Sequence, residues 1–180
     1  MATSRATDRQ RIHEDLERVR ADLRRIVEAA AADDLRRPSQ GTRWTNGQLL
    51  WHMAFGFLIV RRLLPLVRFF GHLPDRAGRV FARVLEAGTR PFHHVNYLGS
   101  VGGALLFHGP RLTRQLDHTV ARLHRRLDAE SAEALTRRMH FPVGWDPFFS
   151  DTMTLAEVYA YGIQHYDFHR TQLTLEVLEH

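Results

Sequence analysis

His165 and His169 stand four residues apart near the end of the chain. On a helix, two side chains at that spacing leave the same face about one turn apart, so both imidazoles can reach one metal ion. Most histidine pairs of this kind are surface or core residues, so a metal site needs a third donor. His52 is placed to be that donor. It falls between Leu49 and Met53 on the apolar stripe of an earlier segment, where a neutral imidazole needs partners for its ring nitrogens. A backbone carbonyl would satisfy it as a core histidine. Convergence with His165 and His169 inside a helical bundle would instead make a three-histidine site. Three neutral ligands leave coordination positions open to water or substrate, as in catalytic sites. Imidazole suits zinc, nickel or ferrous iron, and the residue types do not choose among them.

Residues around these histidines could also take part in the chemistry. Tyr161 and Glu157, four and eight residues before His165, share its helical face and could orient a ligand or carry a proton, although packing and capping are the commoner roles. Asp167 lies two residues from His165 and should point away, towards solvent or another element. Arg170 could pair with an anionic substrate, with an exposed helix arginine as the default. His93, His94 and His108 fall in a poorly patterned middle region, and their role is left open. His13, His118, His124 and His140 are read as solvated or as lying in a second layer behind the site. Trp145, Phe148 and Phe149 are read as loop packing that could line the mouth of a pocket.

The elements that must position these residues are helical. Ile12, Leu16, Val19, Leu23, Ile26 and Ala30 recur every three or four residues, which predicts a packing helix ending near Asp33-Asp34. Thr45 and Gln48 form a capping box, with Trp44 and Leu49 placed for a hydrophobic staple. The helix they open carries Leu49, Met53, Gly56, Val60, Leu63 and Val67 inward, and Pro65 should kink or end it. Residues 71–110 are broken by glycine and proline, and one short helix with loops is expected there. A third long helix follows Pro110, with Leu112, Leu116, Val120, Leu123 and Leu127 on one face. Residues 131–152 read as a packed loop. A second capping box, Thr154 and Glu157 with the apolar pair Met153 and Val158, opens the last helix. The expected architecture is an all-α four-helix bundle with one short extra helix in the middle connection, a single domain over residues 1–180.

Composition narrows the functional classes. The chain has 180 residues and no cysteine, so disulfides, thiolate metal sites and a cysteine nucleophile are excluded, and any thiol chemistry needs an exogenous thiol. Its basic residues are all arginine, 25 against 20 acidic residues, but they are interspersed with acids as on solvated faces, so no nucleic-acid partner is expected. The apolar stretch from Leu49 to Phe70 is interrupted by Arg61, Arg62, Pro65 and Arg68, so no membrane crossing is expected. No secretory signal is visible, and a cytoplasmic location is the default. Phosphate-loop, dinucleotide and nucleophile-elbow fingerprints are missing.

The segment Trp44-Thr45-Asn46-Gly47-Gln48-Leu49-Leu50-Trp51-His52 resembles the start of the second helix of the DinB-like superfamily. The segment from His165 to Leu173 is similar to that family's H-x-x-x-H end motif, and the resemblance spans nearly the whole chain. It implies a DinB/YfiT-like four-helix bundle holding a divalent metal through His52, His165 and His169, frequently as a homodimer. For characterised relatives, among them the N-terminal domain of mycothiol-dependent maleylpyruvate isomerase, it implies transfer involving a low-molecular-weight thiol such as mycothiol or bacillithiol. The expected function is a thiol-dependent S-transferase acting on a small-molecule substrate. The alternatives are a metal-dependent hydrolase and a non-catalytic metal- or ligand-binding dimeric helical protein.

Overall fold

The computed structural model describes residues 2–178. Eight α-helices run along the described chain: α1 (Ala2–Ala29), α2 (Ala32–Arg36), α3 (Asn46–Phe70), α4 (Asp75–Ala87), α5 (Thr89–Leu106), α6 (Pro110–Ala129), α7 (Ala132–Thr136) and α8 (Leu155–Arg170). The strands β1 (Arg138–His140) and β2 (Thr152–Thr154) pair antiparallel, with Met139 opposite Met153.

Helices α1, α3, α6 and α8 form a closed ring of contacts, in which α1 and α3 each pack against both α6 and α8. Their apolar stripes meet at the centre. Leu16, Leu23 and Ile26 of α1, Met53, Phe57 and Val60 of α3, Val120 and Leu123 of α6, and Leu155 and Val158 of α8 are all fully buried. Burying such side chains is the main driving force for the fold, each contributing roughly 1.5–3 kcal/mol. Among the described residues no helix is long and apolar enough to cross a membrane.

The starts of α3 and α8 are fixed by their caps. The Gln48 amide donates to Thr45 Oγ1 while Thr45 N donates to Gln48 Oε1 at 3.1 Å. Thr154 and Glu157 repeat the arrangement, with Thr154 N donating to Glu157 Oε2 at 2.7 Å. Both caps fall where the spacing of polar residues placed them.

Four expectations are corrected. The first helix ends at Ala29, and Asp33 and Asp34 belong to the separate turn α2. Of the two outcomes expected at Pro65, a kink or an end, the helix does not end there but continues to Phe70. Proline deprives the Arg61 carbonyl of its usual amide partner, and the Arg126 guanidinium of α6 donates to that carbonyl at 3.4 Å. The middle connection carries two helices, because Gly88 separates α4 from an 18-residue α5. That helix lies close against α3 at Gly103, where any Cβ would overlap the Trp51 indole. Finally, residues 131–152 are not all loop, since α7 and β1 lie within them and β2 follows.

Candidate metal centre

The structure brings His52 of α3 and His165 and His169 of α8 together. One nitrogen from each lies within 4.8 Å of the others, and His52 Nε2 and His165 Nε2 are 3.1 Å apart. Close approach of α3 and α8 makes this possible. At Gly56 a Cβ would stand 2.9 Å from His165 Nδ1, so the absence of a side chain there is what admits the ring. His52 and His165 are buried and His169 is half-buried.

Hydrogen bonds assign which nitrogen two of the rings offer. The Ser100 hydroxyl donates its one proton to Asn96 O at 2.8 Å, so at 3.0 Å from His52 Nδ1 it must accept. His52 therefore carries its proton on Nδ1 and presents the Nε2 lone pair. Gln172 Oε1 lies 2.6 Å from His169 Nδ1; an amide oxygen only accepts, so His169 likewise offers Nε2. Partners of this kind fix ligand tautomer and ring orientation in metal sites. His165 Nε2–H can then donate to His52 Nε2, leaving His165 Nδ1 buried without a partner. Trp44 stacks on His52 with ring centroids 4.3 Å apart, closing the cluster on that side.

Burial pushes the His52 pKa down to about 3, assisted by His169, and holds His165 and His169 below the ordinary imidazole range. All three rings are thus neutral at pH 7, the state in which imidazole binds metals. Three neutral imidazoles whose nitrogens converge, two with Nε2 fixed as the free lone pair, fit a divalent ion, with His165 binding it in the tautomer that leaves Nε2 unprotonated.

Asp146 is the carboxylate beside the cluster. Its Oδ2 lies 3.9 Å from His165 Nε2 and accepts from the Tyr161 hydroxyl at 2.9 Å, while Oδ1 accepts from Phe148 N at 2.9 Å. Desolvation raises its pKa above the usual carboxylate range against the pull of those hydrogen bonds.

The cluster faces two spaces. On one side is a cavity of about 300 Å³ bounded by α3, α4, α5 and the 141–149 loop, reached by His52, His165, Asp146 and Tyr161 and otherwise mostly apolar, with Trp145 and Phe149 in its wall. On the other is an open depression of about 430 Å³ bordered by His169, Asp146, Phe148 and the polar side chains of Arg43, His93 and Gln172.

The candidate residues separate accordingly. Tyr161 belongs to the site through Asp146. Glu157 does not, because its exposed carboxylate is spent on the α8 cap. Arg170 is committed to Asp22 of α1, at 2.7 Å, and Asp167 pairs with Arg18 of α1. His93 borders the depression and lies 3.1 Å from Gly144 O. His94 and His108 are exposed and line neither space. His140 is not solvated: it is buried between Asp75 and Asp151, at 3.0 and 3.2 Å. Sequence reasoning missed Ser100, Asp146 and Gln172. The one signal for Asp146 was a lone carboxylate in the aromatic, proline-rich run from Phe141 to Phe149.

The family model of the DinB superfamily matches residues 15–173, and the chain belongs to that superfamily. Searches of curated proteins and of solved structures give no match.

Proposed function

We propose that this DinB-superfamily protein is a metal-dependent enzyme that transfers a low-molecular-weight thiol to an electrophilic small molecule, with His52, His165 and His169 holding one zinc, nickel or ferrous ion. The observation that carries the reading is the position of the three histidines and Asp146 between an apolar cavity and an open depression that also offers polar side chains. His52 and His165 line the cavity, His169 the depression and Asp146 both, so two reactants can reach the cluster from different spaces. Because the chain has no cysteine, the sulfur must come from outside.

A divalent ion held there would supply Lewis acidity that lowers the pKa of a thiol or water reaching it. The chain's own residues do the rest. Arg43, His93 and Gln172 offer hydrogen bonds to the polar parts of a thiol in the depression. Asp146 Oδ2 accepts the thiol proton, its basicity raised by desolvation. Tyr161 holds that carboxylate in place. Sulfur bonds to the electrophilic carbon, the leaving group departs with its electron pair, and the apolar lining of the cavity limits water there. In keeping with the family resemblance, the enzyme is proposed to act as a homodimer.

A second reading, hydrolysis, is favoured by Asp146 itself, since the same carboxylate can take a proton from water. Thiol dependence separates the two. Untagged protein is expected to hold about one divalent ion per chain by plasma mass spectrometry, lost in His52→Ala. Turnover of electrophiles only with mycothiol or bacillithiol supports transfer, whereas turnover without any thiol supports hydrolysis. A chain that takes up no zinc, nickel or iron under controlled loading sinks both.

A further inference from the structure

The apolar cavity has a shape as well as a volume. From its polar end at His52 it follows Phe55, Gly56, Ile59, Leu63 and Leu66 of α3, positions that recur turn by turn and form one stripe. The stripe runs from His52 to Leu66, roughly 20 Å at 1.5 Å per residue. The lining also holds the Phe92 and Trp145 rings, stacked with centroids 4.0 Å apart. Apart from Asp146 at the histidine end, the charged side chain along the lining is Arg62, which is exposed. Polar groups that could bind a ligand are therefore concentrated at one end: His52, His165, Asp146 and Tyr161, with Asn96 nearby.

Such a cavity penalises a ligand with hydrogen-bonding groups along its length, because their lost hydration is not replaced. It favours one whose single polar group sits at the histidines and whose remainder is aliphatic or aromatic. A cavity of about 300 Å³ holds a small molecule and excludes a peptide or a nucleotide-sized ligand of many polar atoms.

We propose that the electrophilic substrate is an elongated apolar molecule, of medium-chain acyl, alkyl or alkyl-aromatic type, with its reactive head at the three histidines and Asp146 and its tail laid along α3 towards Leu66. The identity of the head-group site rests on the metal reading above; the place of the tail does not. The division of labour follows: the apolar cavity selects the substrate by its tail, and the open depression receives the thiol.

Two probe series separate these layers. Straight-chain 1-alkanols from butanol to decanol test the tail site in chelator-treated protein by calorimetry or indole fluorescence. Alkyl hydroxamates of the same lengths test head and tail together in zinc-loaded protein. Affinity is expected to rise roughly three- to fourfold per added methylene, the ratio expected for burying a CH₂ group, and to level off once the chain outgrows the cavity. Leu63→Trp and, at another depth, Ile59→Trp should abolish this dependence while zinc stoichiometry and the circular dichroism spectrum stay unchanged. If one of the two fails to fold, the other carries the test. A flat chain-length series in protein that loads zinc overturns the proposal and leaves the metal reading standing. A steep alkanol series in protein that never takes up zinc supports the tail site and overturns the metal reading.

Discussion

Ser100 and Gln172 neither hold the ion nor move a proton in the proposed chemistry, yet each decides which nitrogen a histidine presents. Replacing either with alanine leaves a ring free to change tautomer or rotate. Ser100→Ala and Gln172→Ala are each expected to weaken zinc binding by roughly 10- to 100-fold, the usual cost of losing such a partner. Competition against a chromophoric chelator measures this, and wild-type affinity in both variants would refute the tautomer assignment. Gly56 makes a different prediction. A methyl group there must displace His165, so Gly56→Ala should lose zinc affinity with little change in helical content by circular dichroism. Retained affinity would mean that His165 adjusts without leaving the cluster. Trp44, which the capping pattern assigned to a staple with Leu49, stacks on His52 and serves the site directly.

At the scale of elements, the question is what holds α8 in register with its neighbours so that two of its histidines face α3. Asp22 of α1 accepts from the Tyr166 hydroxyl at 2.9 Å and from Arg170 at 2.7 Å. On the α3 side, Asn46 is fully buried and joins Asp34 O to Thr174, tying the start of α3 to the chain beyond α8. Asp22 lies below its ordinary pKa: burial raises it, but hydrogen bonds from Arg170, Arg25 and Tyr166 outweigh that effect. A depressed carboxyl contributes stability above its unfolded pKa of about 3.9, and that contribution is lost as pH falls through the folded value. Asp22→Asn should therefore destabilise the protein by about 1–3 kcal/mol at pH 7. The difference from wild type should shrink as pH drops below about 4. Urea unfolding midpoints at neutral and acidic pH provide the measurement. A difference that stays constant across that range would assign the cost to packing instead of charge.

Across the whole molecule, the three histidines join helices far apart in sequence, so a metal ion that binds the folded chain must also stabilise it. At a free zinc concentration 100-fold above the dissociation constant the gain is about 2.7 kcal/mol. For a chain of this length that corresponds to a rise in Tm of roughly 5–10 °C. A thermal scan should show that rise with zinc, its reversal by chelator, and no zinc dependence in His52→Ala. Equal shifts in wild type and variant would place the ion elsewhere.

The features legible in the sequence are those written between residues three or four positions apart. The apolar stripes of α1, α3, α6 and α8, the Thr45 and Thr154 capping boxes, and the His165–His169 pair are all local patterns, and all stand in the structure where their spacing put them. His52 could be placed on an inward stripe, but not opposite His165. Only tertiary packing decided that convergence, because it depends on how closely α3 and α8 approach, which Gly56 controls across a long stretch of intervening chain. The same holds for Ser100, carried to His52 by a glycine-rich helix whose local signal is weak, and for Asp146, delivered by a loop whose position follows from the aromatic surfaces it packs against. Local propensity specifies elements; the two-sided space around the histidines exists only once long-range burial has chosen which faces meet.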